Sequence, residues 1–473
     1  MHDHPLYFSS RKENDETIVE KSIRQIALDI LLETDAQNEN AQDILNRTIQ
    51  RKNLTEKDKA FLTDLVYGTI RWKGNLNYIV NQFIPPKKFK KLDPEILLTL
   101  YLGLYQIYYM DKVPDYAAVN ESVEIAKKYG NLGAGGLVNA VLRRAIKVKD
   151  IKYPDLNIKP VEHISAKYSH PEWIVRRWLN RFGIEQTINL CMVNNSRPPF
   201  FIRTNRLKVS RDQLLKSLEK EGISASPSVN IPESIEIKQL SKPLDSLESY
   251  KQGWFQVQDE SSMLIAHILD PQEGETIIDA CSAPGGKSTH IAEFMGNKGQ
   301  ILSFDIDTHR LKLLKENCLR LGIDIIKIIN DDVRNIGKYI SGKVDRILVD
   351  APCSGLGVLR RRVEAKWRRT QKQILEFSKL QYEILDSISK VIKHNGILVY
   401  CTCTIEPEEN HQVIERFIEN HSEFQLESVL PFLPEGIRQI KDIVSDEGFL
   451  QIYQHLHNMD GFFSVRMRKV GEN

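Results

Sequence analysis

The sequence predicts three architectural parts: an all-helical N-terminal domain, a small α+β middle domain, and a C-terminal α/β domain on a doubly wound, mostly parallel sheet. Three observations carry this. Apolar residues recur at helical spacing from Lys21 to about Lys149, strand and helix signals mix between Ile151 and Gly253, and from Trp254 onward short apolar strands alternate with helices. The domains are accordingly drawn at residues 20–150, 151–253 and 254–473.

In the first part, Ile23, Ala27, Ile30 and Leu31 share a helical face, as do Leu62, Leu65, Val66 and Thr69, and then Leu97, Leu100, Leu104 and Ile107. Pro85-Pro86, Asp93-Pro94, Pro114 and the Gly130–Gly136 region separate these helices. The residues up to about Ile18 are polar and read as a frayed end. In the middle part, Pro171-Glu172-Trp173 after Ser169 and His170 marks a helix start with proline in the first turn. Phe200–Asn205 reads as a strand, and Ser210 caps a helix through Leu214, Leu215 and Leu218 that Gly222 stops. The C-terminal strands are Thr276–Cys281, Gln300–Asp305, Ile325–Ile329, Asp345–Val349 and Gly396–Cys401, with Phe462–Arg468 expected to close one edge.

A net charge of +2, from 65 basic and 63 acidic side chains, excludes a histone-like polycation and leaves room for local basic patches. With 41% apolar residues the chain can fill several cores. Six cysteines without framework spacing read as free thiols in a reducing compartment. Met1–Arg11 lacks a basic stretch followed by an apolar run, and no stretch approaches about 18 consecutive apolar residues, so a cytoplasmic chain with neither leader nor membrane span is expected.

Candidate ligand-binding residues begin at Ile277–Ser288, a strand running into a glycine-containing turn and a helix. Glycines there admit a ligand close to the backbone, and a helix N-terminus offers unpaired amides. About 20 residues on, Asp305 ends the next strand, where an acidic side chain accepts hydrogen bonds from a ribose. The spacing is neither G-x-x-x-x-G-K-[ST] nor G-x-G-x-x-G, so a nucleoside ligand held without a phosphate cradle fits better.

Two cysteines leave strands for loops on the same rim: Cys353, in Asp350-Ala351-Pro352-Cys353-Ser354-Gly355, and Cys403, in Tyr400-Cys401-Thr402-Cys403-Thr404. Cysteine is more often a small buried hydrophobe, which suits Cys318 on the Leu311–Leu314–Cys318–Leu321 face and Cys191 in its apolar surroundings. The absence of CxxC argues against zinc, so no metal is expected.

From about Lys21 to the C-terminus, the chain resembles the Sun/Fmu (RsmB-type) family of 16S rRNA cytosine-C5 methyltransferases, most strongly over Asp279–Ser288, Asp345–Gly355 and Tyr400–Asn410. Val138–Arg144, Asp58–Arg71 and Pro114–Lys128 resemble a NusB-like RNA-binding domain, Ser169–Trp173 a ferredoxin- or RRM-like domain, and the C-terminal part a Rossmann-like methyltransferase domain. The resemblance implies S-adenosyl-L-methionine as cofactor, held by Cys281, Ser282, Ala283, Pro284, Gly285, Gly286, Lys287, Asp305, Asp332 and Asp350. It also implies Cys403 as the nucleophile and Cys353 as the residue that assists product release. Asp332 follows from aligning on Arg334; the family usually has Gly-Asp there, so Asp331 is the alternative. Cys401 stands where the family often has alanine and is expected to pack. A thiolate added to carbon 6 of cytosine makes carbon 5 nucleophilic, which is the chemical use of such a cysteine. Asp350 is the candidate to absorb electron density near N3.

The partner implied is RNA, either 16S rRNA or a partly assembled small subunit, approached by a monomer. Arg360, Arg361, Arg362, Lys366, Arg368 and Arg369 in Leu359–Arg369 are expected to form a positive rim for phosphates, with Lys87, Lys88, Lys90 and Lys91 a second basic run. Competing readings are a DNA cytosine-5 methyltransferase, which uses the Pro-Cys cysteine as nucleophile, a tRNA cytosine-5 methyltransferase, and a non-catalytic RNA-binding or assembly factor.

Overall fold

A computed structural model describes residues 21–37, 40–148 and 150–471; the polar end up to Ile18 and the expected boundary at Lys149 lie outside the described residues. Two compact units divide the chain, 1–154 and 155–473.

In the first unit, Ile23–Gln37, Ala41–Arg51, Glu56–Phe83, Pro94–Tyr109, Asp115–Tyr129 and Leu132–Lys147 are α-helices, with a single turn at Pro86–Phe89. Thr55 starts the longest by accepting the Asp58 amide at 3.2 Å, and Asn131 accepts the Ala134 amide at 3.0 Å. Leu62, Leu65, Val66, Leu100 and Leu104 meet in the core, while Leu97 and Ile107 sit at its margin. The helices cross closely, since a Cβ added at Gly68 would lie 1.9 Å from the Tyr105 ring. The Gly130–Gly136 region, expected to break helices, does so only at Gly130 and Asn131; Gly133, Gly135 and Gly136 are helical. A Cβ at Gly135 would lie 2.7 Å from Lys127 Cγ, so packing against Asp115–Tyr129 overrides the poor helix propensity of glycine.

The second unit opens with helix Pro160–Tyr168 and the helical stretch Glu172–Asn195, which is kinked at Gly183 (φ 73°) and starts just after Pro171, so that the proline precedes the first turn instead of lying in it. Strands β1 (Phe200–Thr204), β2 (Ser224–Pro227), β3 (Ser234–Gln239) and β4 (Phe255–Val257) form an antiparallel sheet in the order β2-β3-β1-β4. Helix Arg211–Lys220 starts with a capping box between Ser210 and Gln213 and buries Leu214 and Leu218 against Ile202, Ile235 and Phe255.

The large sheet comprises β5 (Thr276–Asp279), β6 (Gln300–Asp305), β7 (Ile326–Asn330), β8 (Val344–Asp350), β9 (Ile392–Thr402), β10 (Phe424–Glu427), β11 (Leu450–Ile452) and β12 (Phe462–Lys469). Its order is β10-β12-β9-β8-β5-β6-β7, with β11 also paired to β12. Strands β5 to β9 are parallel, and β12 is antiparallel to β9 and β10. β12 thus corrects the expectation of an edge strand. Phe463, Val465 and Met467 enter one core and Phe462 the other, so both faces of the strand are covered. Cys318 packs with Leu311 and Leu314, and Cys191 with Trp178 and Leu190, both buried as expected. Among the described residues, no helix is long and apolar enough to cross a membrane. The strand order turns back at β5, with β6 on one side and β8 on the other, which opens a crevice at the carboxyl ends of the strands.

Candidate active site

β5 delivers Asp279 into the interior, where burial pushes its carboxyl up to about 7 even though the Ser288 hydroxyl donates to it at 2.6 Å. The turn that follows is fixed by its neighbours. Ser282 donates to the Phe304 carbonyl through its amide, at 2.8 Å, and its hydroxyl, at 3.1 Å. The Ala283 amide donates to Asp305 Oδ2 at 3.0 Å, and Asn317 donates to the Pro284 carbonyl at 3.3 Å. Gly285 has φ 98°, and a Cβ there would lie 2.2 Å from Leu314 Cδ1, so only glycine fits. Gly286 starts helix Gly286–Phe294. Its carbonyl accepts from Arg203 of β1 at 2.7 Å, and the same fully buried guanidinium pairs with Glu293 at 2.7 Å.

Beside this turn is a cavity of about 440 Å³ at the ends of β5, β6, β8 and β9. Of the residues singled out from sequence, Cys281, Ala283, Asp305, Asp332, Asp350, Cys353 and Cys403 line it. Ser282, Pro284, Gly285, Gly286 and Lys287 shape the turn or its helix rather than line the cavity wall. Asp331 and Asp332 are both on the wall: Asp331 accepts from the Tyr339 hydroxyl at 2.6 Å, and Asp332 pairs with Arg334 at 2.6 Å.

The two thiols meet. Cys353 Sγ lies 3.3 Å from Cys403 Sγ. A hydrogen bond from the Cys353 thiol, opposed by burial and assisted by the Arg362 guanidinium, holds Cys403 below the ordinary thiol range. The same bond, together with burial, pushes Cys353 well above that range. Either sulfur can donate in this contact, and the two thiols are pushed in opposite directions, Cys403 down and Cys353 up. Lys287 Nζ pairs with Asp350 Oδ2 at 2.7 Å. Burial works against the Lys287 ammonium, but Asp350 and the neighbouring thiols outweigh it and hold its pKa above the usual lysine value. Cys401 does more than pack: it is buried in β9, and its thiol donates to Asp350 Oδ1 at 3.5 Å.

Both cysteine loops are stapled together. The Gly357 amide donates to the Cys403 carbonyl at 3.0 Å and the Ala351 amide to the Cys401 carbonyl at 2.9 Å. Ser354 and Thr404 share a hydroxyl hydrogen bond of 2.8 Å. Asn410 Oδ1 accepts from the Thr402 hydroxyl at 2.7 Å, and its Nδ2 donates to the Thr404 carbonyl at 3.1 Å.

Comparison with known proteins matches residues 266–468 to the 16S rRNA methyltransferase RsmB/F family, residues 21–147 to the NusB family, and residues 170–242 to the RsmF/B-like ferredoxin-like domain. The "Probable ribosomal RNA small subunit methyltransferase B" of Bacillus subtilis (strain 168) is 39% identical over 95% of this chain and 99% of its own length. The chain belongs to the RsmB/F family of rRNA methyltransferases. The "Ribosomal RNA small subunit methyltransferase B" of Escherichia coli O1:K1 / APEC is 34% identical over 91% of this chain and 97% of its own. A solved methyltransferase homolog protein from Pyrococcus horikoshii, 29% identical, covers 66% of this chain and 99% of its own with a TM-score of 0.56. The fold expected from sequence, a NusB-type helical domain, a ferredoxin-like domain and a methyltransferase domain, is the one found.

In this RsmB/F member, the basic run after Cys353 is not the uniform exposed rim expected. Arg360 is buried against Asp460 at 2.5 Å, Arg361 pairs with Asp259 at 2.5 Å, and Lys366 is buried with its ammonium 3.0 Å from Asn195 Oδ1. Arg362 and Arg369 are the two of the run that line the cavity. Asp460, Asp259 and Asn195 all lie outside the run, at positions no local pattern reveals. Arg310, Phe377, Leu380 and Ile384 also line the cavity and went unpredicted. For the last three, a helical face on Gln371–Ser389 was the readable signal.

Proposed function

We propose that this rRNA methyltransferase methylates carbon 5 of a cytosine in small-subunit (16S) rRNA, with S-adenosylmethionine as donor. The observation that carries the proposal is the 3.3 Å contact between Cys353 and Cys403 on the cavity wall, with Cys403 held below and Cys353 above the ordinary thiol range. The cavity suits the cofactor's nucleoside part. It offers the carboxylates of Asp305 and Asp332 to hydroxyls and the apolar surfaces of Ile306, Val333, Phe377 and Leu380 to a ring, within a volume of about 440 Å³. The Cys281–Lys287 turn, Asp305, Asp332 and Asp350 are the residues that would hold it. When bound, S-adenosylmethionine supplies an electrophilic methyl group.

Cys403 adds its sulfur to carbon 6 of the cytosine, and the displaced ring electrons give carbon 5 the pair that would take up the methyl group, the methyl–sulfonium bond breaking with its electrons left on sulfur as a neutral thioether. Asp350 stands at the N3 edge, and the Lys287 ammonium paired with it at 2.7 Å offsets the negative charge that develops there. The carbon 5 proton then passes to solvent water, its bonding pair restores the ring double bond, and the carbon–sulfur pair returns to Cys403 as thiolate. Cys353 assists this release, 3.3 Å from the departing sulfur. A DNA-type arrangement would need Cys353 as the thiolate, opposite to the direction in which the two thiols are held. A tRNA substrate is disfavoured by the NusB-family domain, and a non-catalytic assembly role by the intact thiol pair.

The test is a denaturing gel of enzyme, labelled 16S rRNA and cofactor. Cys403→Ala forms neither product nor adduct, whereas Cys353→Ala accumulates a covalent protein–RNA adduct. Trapping by Cys403→Ala alone would reverse the roles.

A further inference from the structure

Both peptide groups flanking Cys353 are held by side chains from elsewhere in the second unit. The Ser354 amide donates to Glu409 Oε2 at 2.7 Å. Gln381 Nε2 donates to the Pro352 carbonyl at 2.9 Å and to the same Glu409 oxygen at 3.1 Å. Gln381 and Glu409 are both fully buried, and the Glu409 carbonyl accepts from the Tyr400 hydroxyl at 2.6 Å. The three bonds close a loop around one residue: Pro352 on one side of Cys353, Ser354 on the other, Glu409 and Gln381 behind. Gln381 sits on the helix that lends Phe377, Leu380 and Ile384 to the cavity wall. Glu409 lies between Cys403 and helix His411–Asn420 in the chain. The clamp therefore spans the cofactor-side wall and both cysteine loops.

We infer that Gln381 and Glu409 are positioning residues that set Cys353 against Cys403, and so act on the release step and, through the thiol–thiol contact, on the Cys403 sulfur. The inference rests on the thiol roles proposed above. Loosening the clamp lets Cys353 move while Cys403, one residue past the end of β9 and held through its carbonyl by the Gly357 amide, stays put. A generally structural role would lower folding stability and activity together. A positioning role lets the enzyme attack and methylate but release slowly, and it deprives the Cys403 thiolate of its thiol donor.

The experiment compares Gln381→Leu, Glu409→Ala, Glu409→Gln and Cys353→Ala in the full chain, using labelled 16S rRNA and S-adenosylmethionine. One readout is the fraction of protein in denaturation-resistant adduct. The other is the pH midpoint of iodoacetamide alkylation at Cys403, mapped by peptide mass spectrometry without RNA. Gln381→Leu and Glu409→Ala are expected to accumulate adduct as Cys353→Ala does, with the alkylation midpoint raised. Glu409→Gln keeps an acceptor for the Ser354 amide and restores release. If Cys353→Ala traps adduct and neither clamp variant does, with their alkylation midpoints unmoved, the positioning role is overturned. If Cys353→Ala itself fails to trap, the thiol assignment falls, and the alkylation midpoints alone then decide whether the clamp orders the pair. Should Glu409→Ala fail to fold, Gln381→Leu carries the test, since it removes only one bond to Pro352 and one to Glu409.

Discussion

Lys287 and Asp350 form a 2.7 Å ion pair that joins the first turn of the helix after β5 to the end of β8. The pair bridges the turn proposed for the cofactor and the loop that carries Cys353. Asp350 also accepts from the Cys401 thiol, so one carboxylate ties three of the strand ends together. Removing the cation leaves that carboxylate without its charge partner.

Lys287→Met is therefore expected to destabilise the enzyme by about 1–2 kcal/mol, less than for a fully buried pair because Asp350 is 31% exposed. The ammonium also favours the Cys403 thiolate. Thermal denaturation reads the first effect. An upward move in the pH midpoint of Cys403 alkylation reads the second, and an unchanged midpoint would remove Lys287 from the thiolate's electrostatics.

Asp305→Ala is expected to weaken cofactor binding by about 2–3 kcal/mol, roughly 30- to 150-fold, through lost charge-assisted hydrogen bonds. Asp305 also accepts the amides of Ala283 and Asp307, so part of the loss comes from a loosened turn. Isothermal calorimetry with S-adenosylmethionine checks this, and wild-type affinity would rule Asp305 out as a cofactor residue.

Asp279 predicts a pH signature. Burial raises its carboxyl from 3.8 to about 7. Because the folded pKa lies above the unfolded one, this group's stabilising contribution is full below the unfolded pKa and is lost as pH rises through the folded value. Its slope is at most about 1.4 kcal/mol per pH unit between those limits. Asp279→Asn, which keeps an acceptor for Ser288, is expected to flatten the wild-type decline in melting temperature across that window. Parallel wild-type and variant curves would show that Asp279 is ionised throughout.

A chain beginning at Asp155, where the second unit starts, is expected to bind cofactor normally and to methylate 16S rRNA roughly tenfold less efficiently or worse, the helical unit having supplied RNA affinity. Far-ultraviolet circular dichroism first establishes that the shortened chain folds. Full turnover of RNA by the folded chain would assign target selection to the second unit.

Much of this was legible in the sequence because it is local. Alternating strands and helices predicted the large sheet, and a strand leaving for a Pro-Cys or Thr-Cys loop predicted the shared rim. What was illegible depends on partners far apart in sequence. Nothing near Arg360 announces Asp460, and nothing near Ser354 announces Glu409. The inner position of β12 is set by β10 and β11 lying against it, so its own apolar pattern is compatible with either location. Gly135 looks like a breaker until the helix it packs against is known.

Arg203 gives the ferredoxin-like part a different standing from that of a spacer. Its guanidinium, contributed by β1, ends at the Gly286 carbonyl and at Glu293, inside the methyltransferase part. An unpaired arginine at full burial is too costly to tolerate, so neither part can present its native surface alone. The two are therefore expected to melt in one transition. A chimera that takes β1 from a relative without the cognate partner of its guanidinium carries a stranded charge beneath the turn proposed for the cofactor.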